Sequence, residues 1–337
     1  MTNRQITLKR RPVGKPSPDD FAIQVAPRPS PADGEVLRRT IYLSLDPYMR
    51  GRMSDAPSYA APVPLGGVMV GHTVGEVIDS RDPAFKAGDV VAAYDGWQEY
   101  ACSPGRGLRR LDPDLPLTTA IGVLGMPGLT AYVGLVDIGQ PKAGETVVVS
   151  AASGAVGSVV GQLAKLRGCR AVGIAGSADK CRYVVEELGF DACVNYKAGD
   201  LVAALRAACP DGIDVYFDNV GGAVLAAVLR LINRGARIPL CGTISDYNAA
   251  ELPPGPNLRP LLVNRATIRG FIISDHMERT GAFLQECVPL VRSGRLRHRE
   301  DIVDGLDAAP KALAGLLEGQ NFGKLIIRVS SEPARSL

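Results

Sequence analysis

The feature that most constrains this chain is the passage Val147-Val148-Val149-Ser150-Ala151-Ala152-Ser153-Gly154-Ala155-Val156-Gly157, an apolar strand running through small residues straight into a helical pattern. In the following stretch Val156, Val159, Val160, Leu163 and Leu166 recur at the spacing of a helix that packs on a sheet. The same rhythm continues, with short apolar runs at 146–151, 171–176, 192–196, 214–219, 237–242 and 268–273. Helical stripes at 178–188 and 222–231 separate some of them. Alternation of this kind is the signature of βαβ units, so the expected class is α/β, a Rossmann doubly wound parallel sheet.

The preceding residues follow other rules. Strand-like runs at 4–8, 21–25, 35–43, 72–79 and 90–93 are punctuated by Pro and Gly at 14–18, 27–31 and 62–67, which describes a β-rich, turn-laden region. The turn Lys86-Ala87-Gly88-Asp89 returns as Lys142-Ala143-Gly144-Glu145, each feeding a strand. Beyond 273, helices are expected at 281–291 and 308–317 and a strand at 323–329, which either returns to the first region or edges the second sheet. A chain of 337 residues exceeds what one core usually serves. The expected domains are 1–125 with 305–337, and 126–304.

A net charge of +3 and 5% aromatic residues argue against nucleic acid as a partner. The basic start, Arg4 to Arg11, reads as a solvated edge of the first strand. The 7 cysteines form no CxxC pair, which suits a reducing compartment, and the cytoplasm is the expected location. No apolar run reaches about 18 residues, so no membrane span is expected.

In the strand-to-helix turn, Gly154 lets a backbone approach a pyrophosphate, and Gly157 lets the helix lie tightly on the strand. Amides of the first helical turn would face the phosphates. Ala152 stands where GxGxxG has its first glycine, and a tight helix start is the other reading of AxGxxG taken alone. At the end of the second run, Gly176-Ser177-Ala178 offers no acid for a ribose 2′-hydroxyl, and Lys180 and Arg182 follow. That favours NADP(H), with Lys180 on the 2′-phosphate or, alternatively, merely solvated. Asp218-Asn219-Val220-Gly221-Gly222 ends the fourth run, as a ligand rim or simply a turn. Cys241-Gly242-Thr243-Ile244-Ser245-Asp246-Tyr247 ends the fifth, where Tyr247 either donates into a cleft or packs.

With Asp46-Pro47-Tyr48-Met49-Arg50, Gly125-Met126-Pro127-Gly128-Leu129-Thr130-Ala131-Tyr132, Gly154 to Gln162, Phe217 to Gly222 and Asn321-Phe322-Gly323-Lys324, the chain closely resembles the medium-chain dehydrogenase/reductase superfamily. Within it the resemblance is to the zinc-independent branch of leukotriene B4 12-hydroxydehydrogenase/15-oxo-prostaglandin 13-reductase and the alkenal double-bond reductases. It spans nearly the whole chain and implies a GroES-like β-rich catalytic domain beside the Rossmann domain. It also implies NADP(H)-dependent reduction of the C=C bond of enals and enones, and a homodimer joined through the Rossmann sheet.

Carried across residue by residue, the resemblance puts the pyrophosphate at Ala152, Ser153, Gly154, Ala155, Val156 and Gly157, and the 2′-phosphate near Gly176, Ser177, Lys180 and Tyr196. Asn219 falls on the nicotinamide side. Cys241, Gly242, Thr243, Ile244, Ser245 and Tyr247, with Phe271, Ile272 and Ile273, frame the cofactor, and Asn321 is a C-terminal contact. Tyr247 is the catalytic candidate, with the cofactor ribose hydroxyl the other donor to the oxygen on which enolate charge develops, while the α-carbon takes its proton from water. Tyr48, Arg50, Tyr59 and Met126, with residues 252–262, are expected at the acceptor site. Arg50 serves there an anionic tail, or else a structural ion pair.

No metal is expected. His72 is followed by Thr73, and the Ser44-Leu45-Asp46-Pro47 region supplies no cysteine, whereas a catalytic zinc needs about three protein ligands. Two other functions fit the same scaffold: an NADPH:quinone oxidoreductase, and a non-catalytic NADPH-binding sensor or interaction protein.

Overall fold

The computed structural model describes residues 1–251 and 253–333. Leu252, the first residue of the proline-rich stretch 252–260 that the sequence marks as a loop, lies outside them. The chain divides into two compact units, Met1–Gly122 with the chain from Glu300 onward, and Val123–Arg299. These divisions fall a few residues before the expected 126 and 305, because a strand beginning at Glu300 belongs to the first unit's sheet.

In the first unit β1 (Thr2–Leu8) and β2 (Phe21–Pro27) form an antiparallel pair. β3 (Glu35–Ser44), β4 (Thr73–Ser80), β5 (Val90–Ala93) and β7 (Arg109–Arg110) lie side by side, and β6 (Tyr100–Pro104) pairs with β3. β6 and β7 were not legible in the sequence, where Arg109 and Arg110 carry no strand signal. Isolated apolar side chains meet charges here: the Arg38 guanidinium, fully buried, donates to both Asp95 oxygens at 2.5 and 3.0 Å.

The second unit holds α1 (Met126–Tyr132) and the expected parallel sheet, β8 (Thr146–Ser150), β9 (Arg170–Ala175), β10 (Ala192–Asn195), β11 (Ile213–Phe217), β12 (Ile232–Leu240) and β13 (Thr267–Gly270). Its spatial order is β10-β9-β8-β11-β12-β13, every pairing parallel. The chain therefore runs outward from β8 in one direction, then restarts from β11 in the other, and a crevice opens at the carboxyl ends of β8 and β11. Val147, Val148 and Val149 of β8 are wholly buried, as a central strand requires.

Helices α2 (Gly157–Leu166), α3 (Ala178–Glu186), α5 (Gly222–Leu229) and α7 (Thr280–Arg292) occupy the expected stripes. The sequence reading missed α4 (Leu201–Ala208), which Asp200 caps by accepting from the Val202 and Ala203 amides, and α6 (Arg259–Asn264), which cuts short the proline-rich loop. The first unit is completed by β14 (Glu300–Asp304), α8 (Ala309–Leu317) and β15 (Lys324–Arg328). β15 lies between β14 and β3, parallel to one and antiparallel to the other, so the last expected strand does return to the first region.

Candidate functional site

The turn after β8 is fixed by backbone contacts. Ala151 adopts φ +52, a left-handed conformation uncommon outside glycine, and its carbonyl accepts from the Gly154 amide at 2.9 Å. A Cβ built on Gly157 would lie 2.4 Å from the Ala151 oxygen, so only glycine fits there. At Gly154 the same test meets that oxygen alone, at 3.1 Å. Gly157 thus answers to the protein's own packing, while at Gly154 the Ala151 oxygen is close but nothing else stands within 4 Å, as at a residue that admits a phosphate on its other side. Ala152 is wholly buried, and its methyl lies 2.8 Å from where a Cβ on Gly173 of β9 would stand. Glycine on the neighbouring strand leaves room for the alanine that replaces the usual first glycine. No side chain caps the start of α2, which leaves its amides and its positive dipole end for an anion.

The β11 end is organised by Asp218, which is fully buried. Its Oδ1 accepts from Ser150 Oγ at 3.1 Å, the Tyr216 hydroxyl at 2.7 Å and the Val220 and Gly221 amides at 2.9 and 3.0 Å. Burial and this carboxylate hold the Tyr216 hydroxyl well above its ordinary pKa. Asn219 is fixed in turn: its side-chain amide donates to the Ser150 carbonyl at 2.8 Å and its backbone amide to Ser150 Oγ at 2.9 Å.

Gly221 and Gly222, with φ +73 and +51, then press this loop against the one after β12. A Cβ on Gly222 would lie 2.9 Å from Ser245 Oγ, and one on Gly242 would lie 3.2 Å from the Tyr247 hydroxyl and 3.5 Å from the Asn219 carbonyl. The structure therefore brings Asn219, Gly242, Thr243, Ser245 and Tyr247 together. Burial first, and Asp218 second, push the Cys241 thiol up to about 12, so it is no nucleophile at neutral pH. Phe271 is a core residue, its ring edge-on to Phe217 with centroids 6.3 Å apart, and Ile272 and Ile273 follow it half-buried.

At the other end of the sheet, Ser177 caps α3 by accepting from the Lys180 amide at 3.2 Å. A Cβ on Gly176 would meet the Tyr196 ring at 3.2 Å, so Gly176, Ser177, Lys180 and Tyr196 share one corner. The sequence reading missed Lys197, whose Nζ lies 5.6 Å from the Tyr196 ring centroid. Its position just past the end of β10, where parallel sheets bind ligands, was the available signal. Arg182 is paired with Asp179.

The remaining expected residues are distributed between the units. Met126 opens α1 in the second, its carbonyl accepting from Thr130 Oγ at 2.8 Å. In the first unit the Tyr48 hydroxyl lies 3.3 Å from that of Tyr94, and burial raises the Tyr48 pKa, helped by Asp46. Tyr94, another residue not anticipated, sits just past β5 with the His72 ring edge-on at 4.8 Å. Tyr59 is exposed and acts electrostatically on Tyr48. The buried Arg50 guanidinium donates to the carbonyls of Gly14 at 2.9 Å and Pro12 at 3.3 Å, tying down the turn after β1, a structural contact that differs from the ion pair left open for it. Asn321 donates to the Gly323 carbonyl at 2.7 Å.

Around His72 the donor set does not suit a metal. Among the described residues no group of three or more His, Cys, Asp and Glu side chains is placed to hold one. Burial holds the His72 pKa down against the Asp46 carboxylate, and the Lys324 ammonium adds to the lowering. That ammonium donates to Asp46 at 2.9 Å and to the Leu45 carbonyl at 2.6 Å, so the nearby carboxylate already has its cation.

Residues 4–111 match the family model described as the N-terminal domain of oxidoreductase, and residues 155–287 the one described as zinc-binding dehydrogenase. The chain is 52% identical to the NADPH-dependent curcumin reductase of Escherichia coli, over 98% of each chain. It is 42% identical to the NADP(+)-dependent 2-alkenal reductase of Nicotiana tabacum, over 98% of this chain and 99% of that one. Among solved structures, CurA from Vibrio vulnificus in complex with NADPH superimposes with a TM-score of 0.94 at 51% identity, covering 98% of this chain and 100% of that one.

Proposed function

The chain belongs to the medium-chain dehydrogenase/reductase superfamily, in its alkenal double-bond reductase branch, and from that premise we propose that it reduces the C=C bond of α,β-unsaturated aldehydes and ketones with NADPH. The observation that carries this reading is one sheet edge with two ends: an acid-free corner of Gly176, Ser177, Tyr196 and Lys197, and a polar cluster of Asn219, Gly242 and Tyr247. The first suits a 2′-phosphate, the second a nicotinamide and the acceptor beside it. When bound, NADPH supplies a hydride to the β-carbon of the enone.

The chain's own residues do the rest. Gly154 and the uncapped start of α2 hold the pyrophosphate, and Lys180 and Lys197 supply positive charge to the 2′-phosphate. Tyr247 donates a hydrogen bond to the carbonyl oxygen, which gains charge only as the enolate forms, so the contact favours the transition state over the bound enone. No zinc takes part: the Lys324 ammonium beside His72 opposes a divalent cation, and the Asp46 carboxylate is spoken for.

The decisive experiment incubates the protein with NADPH and a conjugated enone. Loss of the enone absorbance with formation of the saturated ketone is expected; an allylic alcohol as sole product overturns the assignment. Quinones assayed in parallel test the rival acceptor class.

Two further statements belong to the same reading. β13 is an edge strand whose residues are all exposed, flanked by Leu262 and Val263 of α6, exposed at 81% and 56%. An open edge beside apolar surface favours a homodimer built on this edge. Light scattering should give the dimer mass, and Ile268→Lys the monomer. Seven free cysteines support the cytoplasm, and among the described residues no helix is long and apolar enough to cross a membrane.

A further inference from the structure

Two thiols meet beside the adenosine corner. The Cys193 thiol of β10 donates to Cys181 Sγ of α3, the sulfurs 3.1 Å apart, and both residues are partly accessible. Glycine makes the meeting possible. Cys193 is in register with Gly173 of β9, and a Cβ there would lie 3.1 Å from Cys193 Sγ, filling the space the sulfur uses. Neighbouring residues tie the pair to the nucleotide corner: Cys181 follows Lys180, and Tyr196 directly follows the strand that carries Cys193.

We propose that Cys181 and Cys193 are a peroxide-oxidised dithiol, which closes to an intramolecular disulfide and loosens the grip of this corner on a 2′-phosphate. The Cys181 thiolate attacks hydrogen peroxide, breaking the O–O bond to give a sulfenic acid and hydroxide, which takes up the proton the thiol had lost and leaves as water. Cys193 sulfur then attacks the Cys181 sulfur, the S–O bond breaks, and the hydroxide leaves with the Cys193 proton as a second water. Two thiols are oxidised by two electrons, and the peroxide is reduced.

Hydrogen bonds from Cys193 and from the Ala175 amide hold the Cys181 thiol below its ordinary pKa, which suits the attacking sulfur. Burial pushes other thiols up, Cys209 to about 11 and Cys287 to about 12, so the reaction has a preferred site. Closure shortens the contact from 3.1 Å to about 2.05 Å. That shifts Ser177 and Lys180, at the first turn of α3, out of the spacing to Tyr196 and Lys197 that the reduced corner has.

The test treats the reduced full chain with one equivalent of hydrogen peroxide, then alkylates and digests it without reductant. A Cys181–Cys193 cross-linked peptide is expected, reversed by dithiothreitol. In Cys193→Ser, Cys181 should instead be trapped by dimedone. Oxidation of Cys181 in the native chain without a cross-link, or equally fast loss of the buried thiols, overturns the proposal. The effect on nucleotide rests on the NADPH reading: calorimetry should show NADPH bound about fivefold more weakly after oxidation, with NADH unchanged. Equal NADPH affinity in both states overturns the coupling. If the reduced protein binds no NADPH while the cross-link still forms, it is the nucleotide reading that fails.

Discussion

The first unit withdraws Asp20, Arg38, Asp46, Arg50 and Lys324 from water, whereas Asp218 is the one charged residue buried to that degree among the described residues of the second. Topology explains the contrast. A parallel sheet satisfies its own backbone, so the second unit can fill its centre with Val147, Val148, Val149 and Tyr216. The first unit has long turns between its strands, and side chains must satisfy carbonyls that no ladder reaches. Arg50 serves Pro12 and Gly14, and Lys324 serves Leu45. Buried charge is thus a substitute for regular structure, and it makes each unit fragile to a different kind of change.

Lys324→Met should break this contrast most severely. It leaves Asp46 buried without its cation and should cost about 3–5 kcal/mol. Hydrogen exchange on peptides of each unit should locate the loss in the first; an evenly spread loss would contradict the division. In the second unit, Gly157→Ala forces a methyl onto the Ala151 oxygen and should cost about 2 kcal/mol, while Gly154→Ala should leave stability within about 0.5 kcal/mol and weaken NADPH. Equal effects on stability would remove the distinction drawn between the two glycines.

Asp218→Asn keeps an acceptor for the four donors but puts an amide where Oδ2 is buried without a hydrogen-bond partner, and about 1–3 kcal/mol should be lost. Lys197→Ala should raise the NADPH dissociation constant about fivefold and leave NADH unchanged. An equal change for both nucleotides would move Lys197 away from the 2′-phosphate.

The smallest effect is one of pH. Arg237 and the Lys142 amide hold Glu145 below its ordinary pKa, against an opposing contribution from burial. A depressed acid stabilises the fold fully above its unfolded value of about 4.3, and that contribution is lost as pH falls toward the folded value. Glu145→Gln should flatten the acid limb of the urea midpoint in this window; an unchanged limb would assign it to other carboxylates.

What could be read from the sequence follows the same contrast. The six parallel strands and the Gly154–Gly157 turn were legible because backbone geometry allows few residues there. The repeated Lys-Ala-Gly-acid turn was equally plain: Gly88 and Gly144 have φ +88 and +85, and each acid accepts from its lysine amide, at 3.1 and 2.8 Å. Tyr94, Lys197 and the acceptor role of Asp218 were not legible. Tyr94 meets His72 and Tyr48, and Asp218 meets Ser150, all distant in sequence, while Lys197 belongs to no motif; a side chain's direction is set by packing rather than by spacing. Arg50 illustrates the cost, since its type suggested an anion or an ion pair and its neighbours turned out to be two carbonyls.

The position of β15 has a consequence for how the protein is made. Lys324 meets Asp46 across 278 residues of chain, and β15 lies between β3 and β14 rather than at an edge. During synthesis the second unit emerges whole and can fold on the ribosome, while the N-terminal strands wait with a carboxylate that has no counter-ion. A premature stop before Lys324 should therefore yield a folded nucleotide-binding half carrying an unfinished, chaperone-dependent sheet.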